Sequence, residues 1–315
     1  MSFIEIKNLK VHYPIRGGFF NRIVDHVYAV DGVDLMIEKG KTYGLVGESG
    51  SGKSTIGKAI IGLEKIKDGT ITYEGKVIEK RRSRKSDYNQ NIQMIFQDSL
   101  SSLNPKKRII DIIAEPLRNF ENLTDKEESR RVSELLEIVG MTDDALYKYP
   151  HEFSGGQRQR IGVARAVAIK PKLIIADEPV SALDLSVQAQ VLNYMKEIQK
   201  QFGLSYLFIS HDLGVVKHMC DHISIMYRGR FVETGEKADI YNNPQHIYTK
   251  RLIAAIPEVN PNHRESNKLR RLAVEKEYRE NELEYYDANG KVYDLQKLTD
   301  THYAALAHKV KGGEK

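Results

Sequence analysis

Cysteine is almost absent from this sequence, which has Cys220 alone among 315 residues. One cysteine excludes a disulfide within the chain and any all-cysteine zinc or iron–sulfur site. Its scarcity favours a reducing compartment. His218 and His222 flank Cys220 and suggest a metal site by residue type, but a separation of one helical turn is explained more simply by ordinary helix packing.

Long apolar runs are also missing. A transmembrane helix needs about 20 predominantly apolar residues, whereas the apolar runs here are short clusters such as Leu173–Ala176. The stretch Phe3–Lys7 alternates apolar and charged residues, which predicts a strand rather than the apolar core of a secretory signal. Any role at a membrane must therefore come through a partner.

Neither sign of charge dominates the chain. Lys and Arg number 48 and Asp and Glu 43, which gives a net charge of +5. This excess is too small to indicate a nucleic-acid partner, and we interpret the basic run Lys80–Lys85 as a solvated loop rather than a site for RNA or acidic lipid. With 41% hydrophobic and 29% charged residues, the composition is that of a globular protein with a sizeable core.

The order of the hydrophobic patterns predicts an α/β fold. Short β-like runs fill residues 3–45 and lead into a glycine-rich loop and a helix, and helical patterns occupy about residues 109–170 as an insertion. Strands return at Leu173–Ala176 and Tyr206–Ile209, with the helical segment Ser186–Gln201 between them. This strand–helix–strand order implies a parallel sheet.

The composition changes after Pro257, where densely mixed charge begins. We therefore predict two units: residues 1–260, with a helical subdomain at about 98–170, and a small extension at 261–315. The extension is expected to hold a charged helix and a hairpin, because Asn289-Gly290 is a strong hairpin signal.

The glycine-rich loop matches the eight-position P-loop pattern. Its residues are Gly47, Glu48, Ser49, Gly50, Ser51, Gly52, Lys53 and Ser54, with Thr55 directly after them. The glycines let backbone N–H groups curl around phosphate oxygens, and the following helix points its positive N-terminal end at the same anion. Lys53 is expected to contact the β- and γ-phosphates of ATP, and Ser54 to offer its hydroxyl to Mg²⁺.

Two acids follow the apolar run at residues 173–176, where the carboxyl end of a buried parallel strand carries chemistry. Asp177 is expected to orient the Mg²⁺ shell, and Glu178 to act as general base on the attacking water. Taken alone, the pattern explains Asp177 equally well as a helix N-cap. The P-loop upstream favours the catalytic interpretation.

The stretch Phe153–Arg160 resembles the signature motif of ABC ATPases, with Phe153 where the motif usually has Leu. The resemblance implies an ABC-type P-loop core with a β-rich N-terminal subdomain and a helical insertion. It also implies that the signature of one subunit closes over ATP held by another subunit. The residues expected to contact the γ-phosphate in this way are Ser154, Gly155, Gly156 and Gln157.

The other motifs of this family match in the same order along the chain. Gln97 occupies the Q-loop position, Ser181–Asp184 the D-loop and His211 the switch-histidine position. The resemblance implies that Gln97 senses Mg²⁺ and the attacking water and that His211 contacts the γ-phosphate. It also implies that an aromatic side chain stacks on adenine. Tyr13 matches that position best, and Tyr28 is the alternative. The segment 16–27 between them looks like an insertion relative to the simplest ABC ATPases.

Three stretches resemble the oligopeptide and dipeptide permease branch: Gln97–Pro105, Tyr149–Phe153 and His246–Leu252. With the segment Pro14–Val30 they are similar to the second ATPase subunit of such importers, over about residues 3–262. The resemblance implies ATP and Mg²⁺ as cofactors and a peripheral place on the cytoplasmic face of the cell membrane.

The partners implied are a second, different ABC ATPase subunit, two integral membrane permease subunits and, indirectly, an extracellular or periplasmic peptide-binding protein, with no nucleic acid. Such ATPase subunits do not contain the translocation path, so dipeptides, nickel and other small solutes stay open as alternatives. A non-transport ABC ATPase is a more distant one, because the chain has neither a second cassette nor a long coiled coil.

Overall fold

A computed structural model of the chain describes residues 2–18, 20–78, 86–98, 102–257 and 264–306. The basic run at 80–85, the middle of the Gln97–Pro105 stretch and the predicted boundary near residue 260 lie outside these ranges. Within them, no helix is long and apolar enough to cross a membrane.

A four-stranded antiparallel sheet, in the order β2-β1-β4-β5, forms the amino-terminal part. Its strands are β1 Ser2–Gly17, β2 Arg22–Glu38, β4 Asp68–Tyr73 and β5 Lys76–Val77. The prediction of several short runs is wrong here, because the segment 16–27 closes one long hairpin in which Gly17 pairs with Arg22. The pairing of β1 with β4 stops at Lys10, and Pro14 pairs with His26 of β2.

The larger sheet has eight strands in the order β11-β12-β10-β9-β3-β8-β7-β6. Strands β6, β7, β8, β3 and β9 run parallel, and β10, β12 and β11 are antiparallel. The strands are β3 Thr42–Val46, β6 Ile92–Ile95, β7 Leu173–Asp177, β8 Ser205–Ser210, β9 His222–Tyr227, β10 Arg230–Glu236, β11 Gln296–Lys297 and β12 Tyr303–Ala304. Strands β3, β7 and β8 are buried throughout, as expected for a parallel sheet covered on both faces.

Helices cover this sheet and form the insertion. They are α1 Lys53–Ile61, α2 Asp87–Asn91, α3 Ile109–Phe120, α4 Asp125–Ile138, α5 Gly155–Val167, α6 Leu185–Phe202, α7 Leu213–Met219, α8 Lys237–Asn242, α9 Ile247–Ala254 and α10 Arg264–Asn281. Helices α3, α4 and α5 pack together as the helical insertion, because each buries an apolar face such as Val132, Leu135 and Leu136 of α4. The parallel sheet predicted for the α/β core is confirmed.

The charged helix predicted for the extension is α10, but the hairpin is not where the sequence places it. Around Asn289-Gly290 the structure has one antiparallel bridge, Tyr286 with Val292. The Asp287 carboxylate accepts from the backbone N–H groups of Asn289 and Lys291 at 2.8 and 2.9 Å, which closes a tight turn instead of a ladder. The paired strands are β11 and β12, and β12 joins the main sheet through β10.

Candidate functional site

The phosphate-binding loop connects β3 to α1 at the carboxyl edge of the parallel strands. Two of its glycines leave no room for a side chain. A Cβ on Gly52, whose φ is +107°, would lie 2.0 Å from the carbonyl oxygen of Ala29, and one on Gly47 would lie 2.1 Å from that of Met226. The backbone is therefore pressed against β2 and β9, which fixes the curve of the loop.

Lys53 begins α1 and is turned back into the loop. Its Nζ donates to the carbonyl oxygens of Gly47 and Glu48 at 2.8 and 2.7 Å and to Ser51 Oγ at 3.3 Å. The residue is 4% exposed, and burial lowers the pKa of its ammonium group while nearby acids oppose that shift. The Lys53 ammonium is thus positioned beside the backbone N–H groups of the loop, where both can bind the same phosphate.

Ser54 and Asp177 meet across the site. Ser54 Oγ donates to Asp177 Oδ1 at 2.7 Å, and Asp177 ends β7 with 4% of its surface exposed. Burial raises the pKa of the Asp177 carboxyl, and the bond from Ser54 opposes the rise. A hydroxyl beside a buried carboxylate is a hard-oxygen donor set that fits Mg²⁺.

Two of the predicted site residues, Gln97 and His211, lie beside the carboxylate of Glu178. Gln97 Nε2 donates to Glu178 Oε2 at 2.8 Å, and His211 Nδ1 lies 3.2 Å from Oε1. Glu178 has a φ of +47°, a strained backbone that occurs most often at functional sites. Its N–H donates to the carbonyl oxygen of Ile209 at 2.9 Å, which anchors the strained residue to β8.

Most of the P-loop and the Glu178 group line one open cleft with a volume of about 580 Å³, whereas Ser51 and Asp177 are not in its lining. Its lining comprises Ala29, Gly47, Glu48, Ser49, Gly50, Gly52, Lys53, Ser54, Thr55, Gln97, Glu178, His211 and Leu252. The structure therefore brings the P-loop together with Gln97, Glu178 and His211. The sequence did not predict that Ala29 and Leu252 line this cleft. Ala29 lies within a long strand and has no motif around it. Leu252 lies in the stretch His246–Leu252, which indicated only a resemblance to the oligopeptide and dipeptide branch.

The signature residues lie elsewhere. Ser154 caps α5 and accepts from the Gln157 N–H at 3.3 Å, while Gln157 Oε1 accepts from the Ser154 N–H at 2.9 Å. Ser154, Gly155, Gly156 and Gln157 are not among the described residues that line the cleft. At the start of α5, Ser154 is exposed, Gly155 and Gln157 are half-buried and Gly156 is buried.

The two candidate tyrosines have different neighbours. Tyr13 lies within hydrogen-bonding reach of Glu64 and Thr55, and burial raises the pKa of its hydroxyl. Tyr28 packs edge-on against His12, with ring centroids 4.6 Å apart, and is 54% exposed. Neither tyrosine is among the described residues that line the cleft.

The metal interpretation of His218, Cys220 and His222 finds no support in the geometry. Cys220 is buried, and burial raises the pKa of its thiol. The His222 ring stacks on Tyr43 with centroids 5.0 Å apart. Across the part of the chain that the structure describes, no three His, Cys, Asp or Glu side chains are grouped as a metal would require.

A phosphate-binding loop, a hydroxyl–carboxylate pair and a glutamate at the edge of a parallel sheet define a nucleotide-hydrolysing P-loop protein. Comparison with known proteins narrows this class. The family model described as ABC transporter matches residues 30–181, and the one described as oligopeptide/dipeptide transporter, C-terminal region, matches residues 232–293.

The chain is 58% identical over 314 residues to the oligopeptide transport ATP-binding protein OppF of Lactococcus lactis subsp. lactis, covering 99% of this chain and 98% of that protein. It is 51% identical over 273 residues to OppF of Bacillus subtilis, covering 85% and 87%. The chain therefore belongs to the ABC transporter family of ATP-binding subunits.

The fold agrees with solved structures. The cbiO1 protein of Clostridium perfringens, described as part of the ABC transporter complex cbiONQ, superposes with a TM-score of 0.66 over 80% of this chain and 95% of that chain, at 24% identity. At this identity the likeness shows the fold alone. The predicted ABC-type ATPase core is confirmed.

Proposed function

We propose that this chain is the ATP-hydrolysing subunit that energises an ABC importer for oligopeptides. The observation that carries the proposal is its 58% identity, over nearly the full length of both chains, to a protein named for oligopeptide transport. The match of residues 232–293 to the oligopeptide/dipeptide C-terminal region supports it outside the ATPase core.

The cleft supports a division of labour among its residues. Loop N–H groups and Lys53 bind the β- and γ-phosphates, and Tyr13 stacks on adenine. Glu178 takes a proton from the attacking water, since the bond from Gln97 orients its carboxylate and His211 lies 3.2 Å from the other oxygen. Mg²⁺, held by Ser54, Asp177 and Gln97, would supply charge neutralisation at the phosphates when bound.

The separation of the signature from the cleft supports a composite site. Ser154, Gly155, Gly156 and Gln157 would close over ATP bound by the other subunit, and this chain's P-loop would receive the partner's signature. ATP then joins the pair, and its hydrolysis lets the pair reopen and drives two integral membrane subunits. We propose a different ABC ATPase subunit as the partner and a peptide-binding protein as the indirect source of peptide, with the chain peripheral on the cytoplasmic face.

The decisive experiment assembles the chain with a second ATPase subunit, the two membrane subunits and the binding protein, and measures ATP hydrolysis. We expect low activity from the chain alone and strong stimulation of the complex by a pentapeptide. Dipeptide is the second candidate, because the matching C-terminal model is described for both peptide classes. Stimulation by Ni²⁺ instead of peptide would contradict the proposed substrate. Full, cooperative ATPase activity of the chain alone would contradict the proposal that its partner is a different ATPase subunit.

A further inference from the structure

The segment Gln245–Leu252 reaches the phosphate-binding loop from a distant part of the chain. The backbone N–H of Glu48 donates to the hydroxyl oxygen of Tyr248 at 3.1 Å, across 200 residues of sequence. Leu252, one turn further along the same helix, lines the nucleotide cleft. Arg251 lies between them and approaches the Glu48 carboxylate at 3.8 Å.

The Tyr248 bond acts on a particular peptide group. The N–H of Glu48 and the carbonyl of Gly47 belong to one planar trans peptide, so they point in opposite directions. The Gly47 carbonyl accepts from Lys53 Nζ at 2.8 Å. One peptide plane is therefore held on one side by Lys53 and on the other by Tyr248, and a rotation that broke the tyrosine bond would also move the acceptor of the lysine.

Tyr248 itself has little freedom to move. It is fully buried, and its ring packs on Tyr227 with centroids 4.6 Å apart. Burial raises the pKa of its hydroxyl, so the group is neutral and free to accept the amide bond near pH 7. At the helix start, the Tyr248 N–H donates to Nδ1 of buried His246 at 3.1 Å.

The C-terminal extension fixes this helix start. The buried Glu233 carboxylate accepts from the N–H groups of Gln245 and His246 at 2.8 and 2.9 Å. The same carboxylate lies 2.7 Å from His302 Nε2, which is only 1% exposed and belongs to the extension. On the exposed side, Arg251 Nε donates to Glu275 of α10 at 2.9 Å.

We propose that Tyr248 is a positioning residue of the phosphate site, which orients the Gly47–Glu48 peptide and through it the Lys53 ammonium. The inference rests on the proposed function, since it concerns how the same site binds MgATP. Lys53 contacts phosphate both before and during reaction, so misplacing it weakens both states together. Such a change raises KM and leaves kcat nearly constant.

The test is Tyr248→Phe, which keeps the ring and removes only the hydroxyl. In the complex with its partner subunits, we expect KM for MgATP to rise about 3- to 10-fold, the size of one lost hydrogen bond, with kcat within about twofold of the parent value. The matched control is Tyr206→Phe. Tyr206 is equally buried, and its hydroxyl donates to the carbonyl oxygen of Met195 at 3.1 Å, at the opposite end of β8 from His211.

Unchanged KM in Tyr248→Phe, or an equal rise in Tyr206→Phe, would overturn the inference. A second measurement needs no variant: hydrogen exchange of the nucleotide-free chain should show the Glu48 amide protected, and exchange at the rate of an open loop would also overturn it. Failure of the proposed function looks different, because then the parent complex itself would show no peptide-stimulated hydrolysis.

Discussion

Gln97 donates its side-chain amide to Oε2 of Glu178 at 2.8 Å, which joins the end of β6 to the end of β7. His211, after β8, places its Nδ1 3.2 Å from the other oxygen of the same carboxylate. Three neighbouring strands of the sheet thus meet at one acid. The bond from Gln97 orients the carboxylate before water arrives, which is the preorganisation that general-base catalysis needs.

Glu178→Gln should retain ATP binding and lose hydrolysis by ~10²-fold or more, because the amide keeps the shape of the side chain but cannot take the proton. Nucleotide titration and steady-state phosphate release on the same preparation measure both. The control Glu280→Gln changes an exposed acid on α10 and should match the parent. Near-normal turnover in Glu178→Gln would rule out this base.

Ser54→Ala should raise the Mg²⁺ concentration needed for half-maximal hydrolysis by about 10-fold or more. The variant removes both a hydroxyl ligand and the 2.7 Å bond that orients Asp177. A Mg²⁺ titration at fixed ATP measures the shift. An unchanged Mg²⁺ dependence would remove Ser54 from the metal site.

Sequence reasoning located the parts of the site whose pattern is local. The P-loop is one continuous stretch, and Asp177 and Glu178 follow the apolar run that forms the rest of β7. Such runs are visible because both faces of a parallel strand are buried. Gln97 and His211 were then assigned to the same site because the family motifs occur in the expected order along the chain.

Other features are tertiary and leave no such pattern. Tyr248 contacts Glu48 across 200 residues of sequence, and no sequence pattern predicts a contact over that separation. Strands β11 and β12 have two residues each, which is too few to show an alternation of apolar and polar residues. The hairpin was therefore predicted at Asn289-Gly290, where the local turn signal is stronger. The domain boundary at 260 stays a prediction.

Tyr13→Ala should raise the Kd for ATP by about fivefold or more, because stacking of a base on an aromatic ring contributes roughly 1–3 kcal/mol. Tyr28→Ala is the matched control, since Tyr28 packs on His12 instead of lying beside Thr55. Fluorescent nucleotide titration measures both. A larger loss in Tyr28→Ala would assign the adenine contact to Tyr28.

Two glycines of α5 should respond to alanine in opposite directions. A Cβ on Gly156 would lie 2.2 Å from Val187 Cγ1, whereas one on Gly162 would meet nothing within 4 Å. We expect Gly156→Ala to lower the free energy of unfolding by about 1–3 kcal/mol through overpacking, and Gly162→Ala to raise it by up to about 1 kcal/mol through helix propensity. Urea denaturation measures both, and equal effects would contradict the packing of α5 against α6.

Protonation of His246 should make the protein less stable as the pH falls. Burial lowers the pKa of His246 to about 3, and its Nδ1 accepts the Tyr248 N–H while Nε2 has no hydrogen-bond partner in the described structure. The unfolded chain binds a proton at this histidine below about pH 6.5, and the folded chain does not. The stabilising contribution is therefore complete above about pH 6.5 and decreases as the pH falls toward 3.

The matched variant is His246→Asn, because asparagine can cap the same helix but does not titrate. Between pH 6.5 and 5, the parent should lose about 1.6 kcal/mol more unfolding free energy than the variant, because the slope reaches about 1.36 kcal/mol for each pH unit only once the unfolded histidine is fully protonated. Urea denaturation at both pH values measures the difference. All other titrating groups are common to the two proteins, so equal pH dependence would show that His246 is not kept neutral by burial.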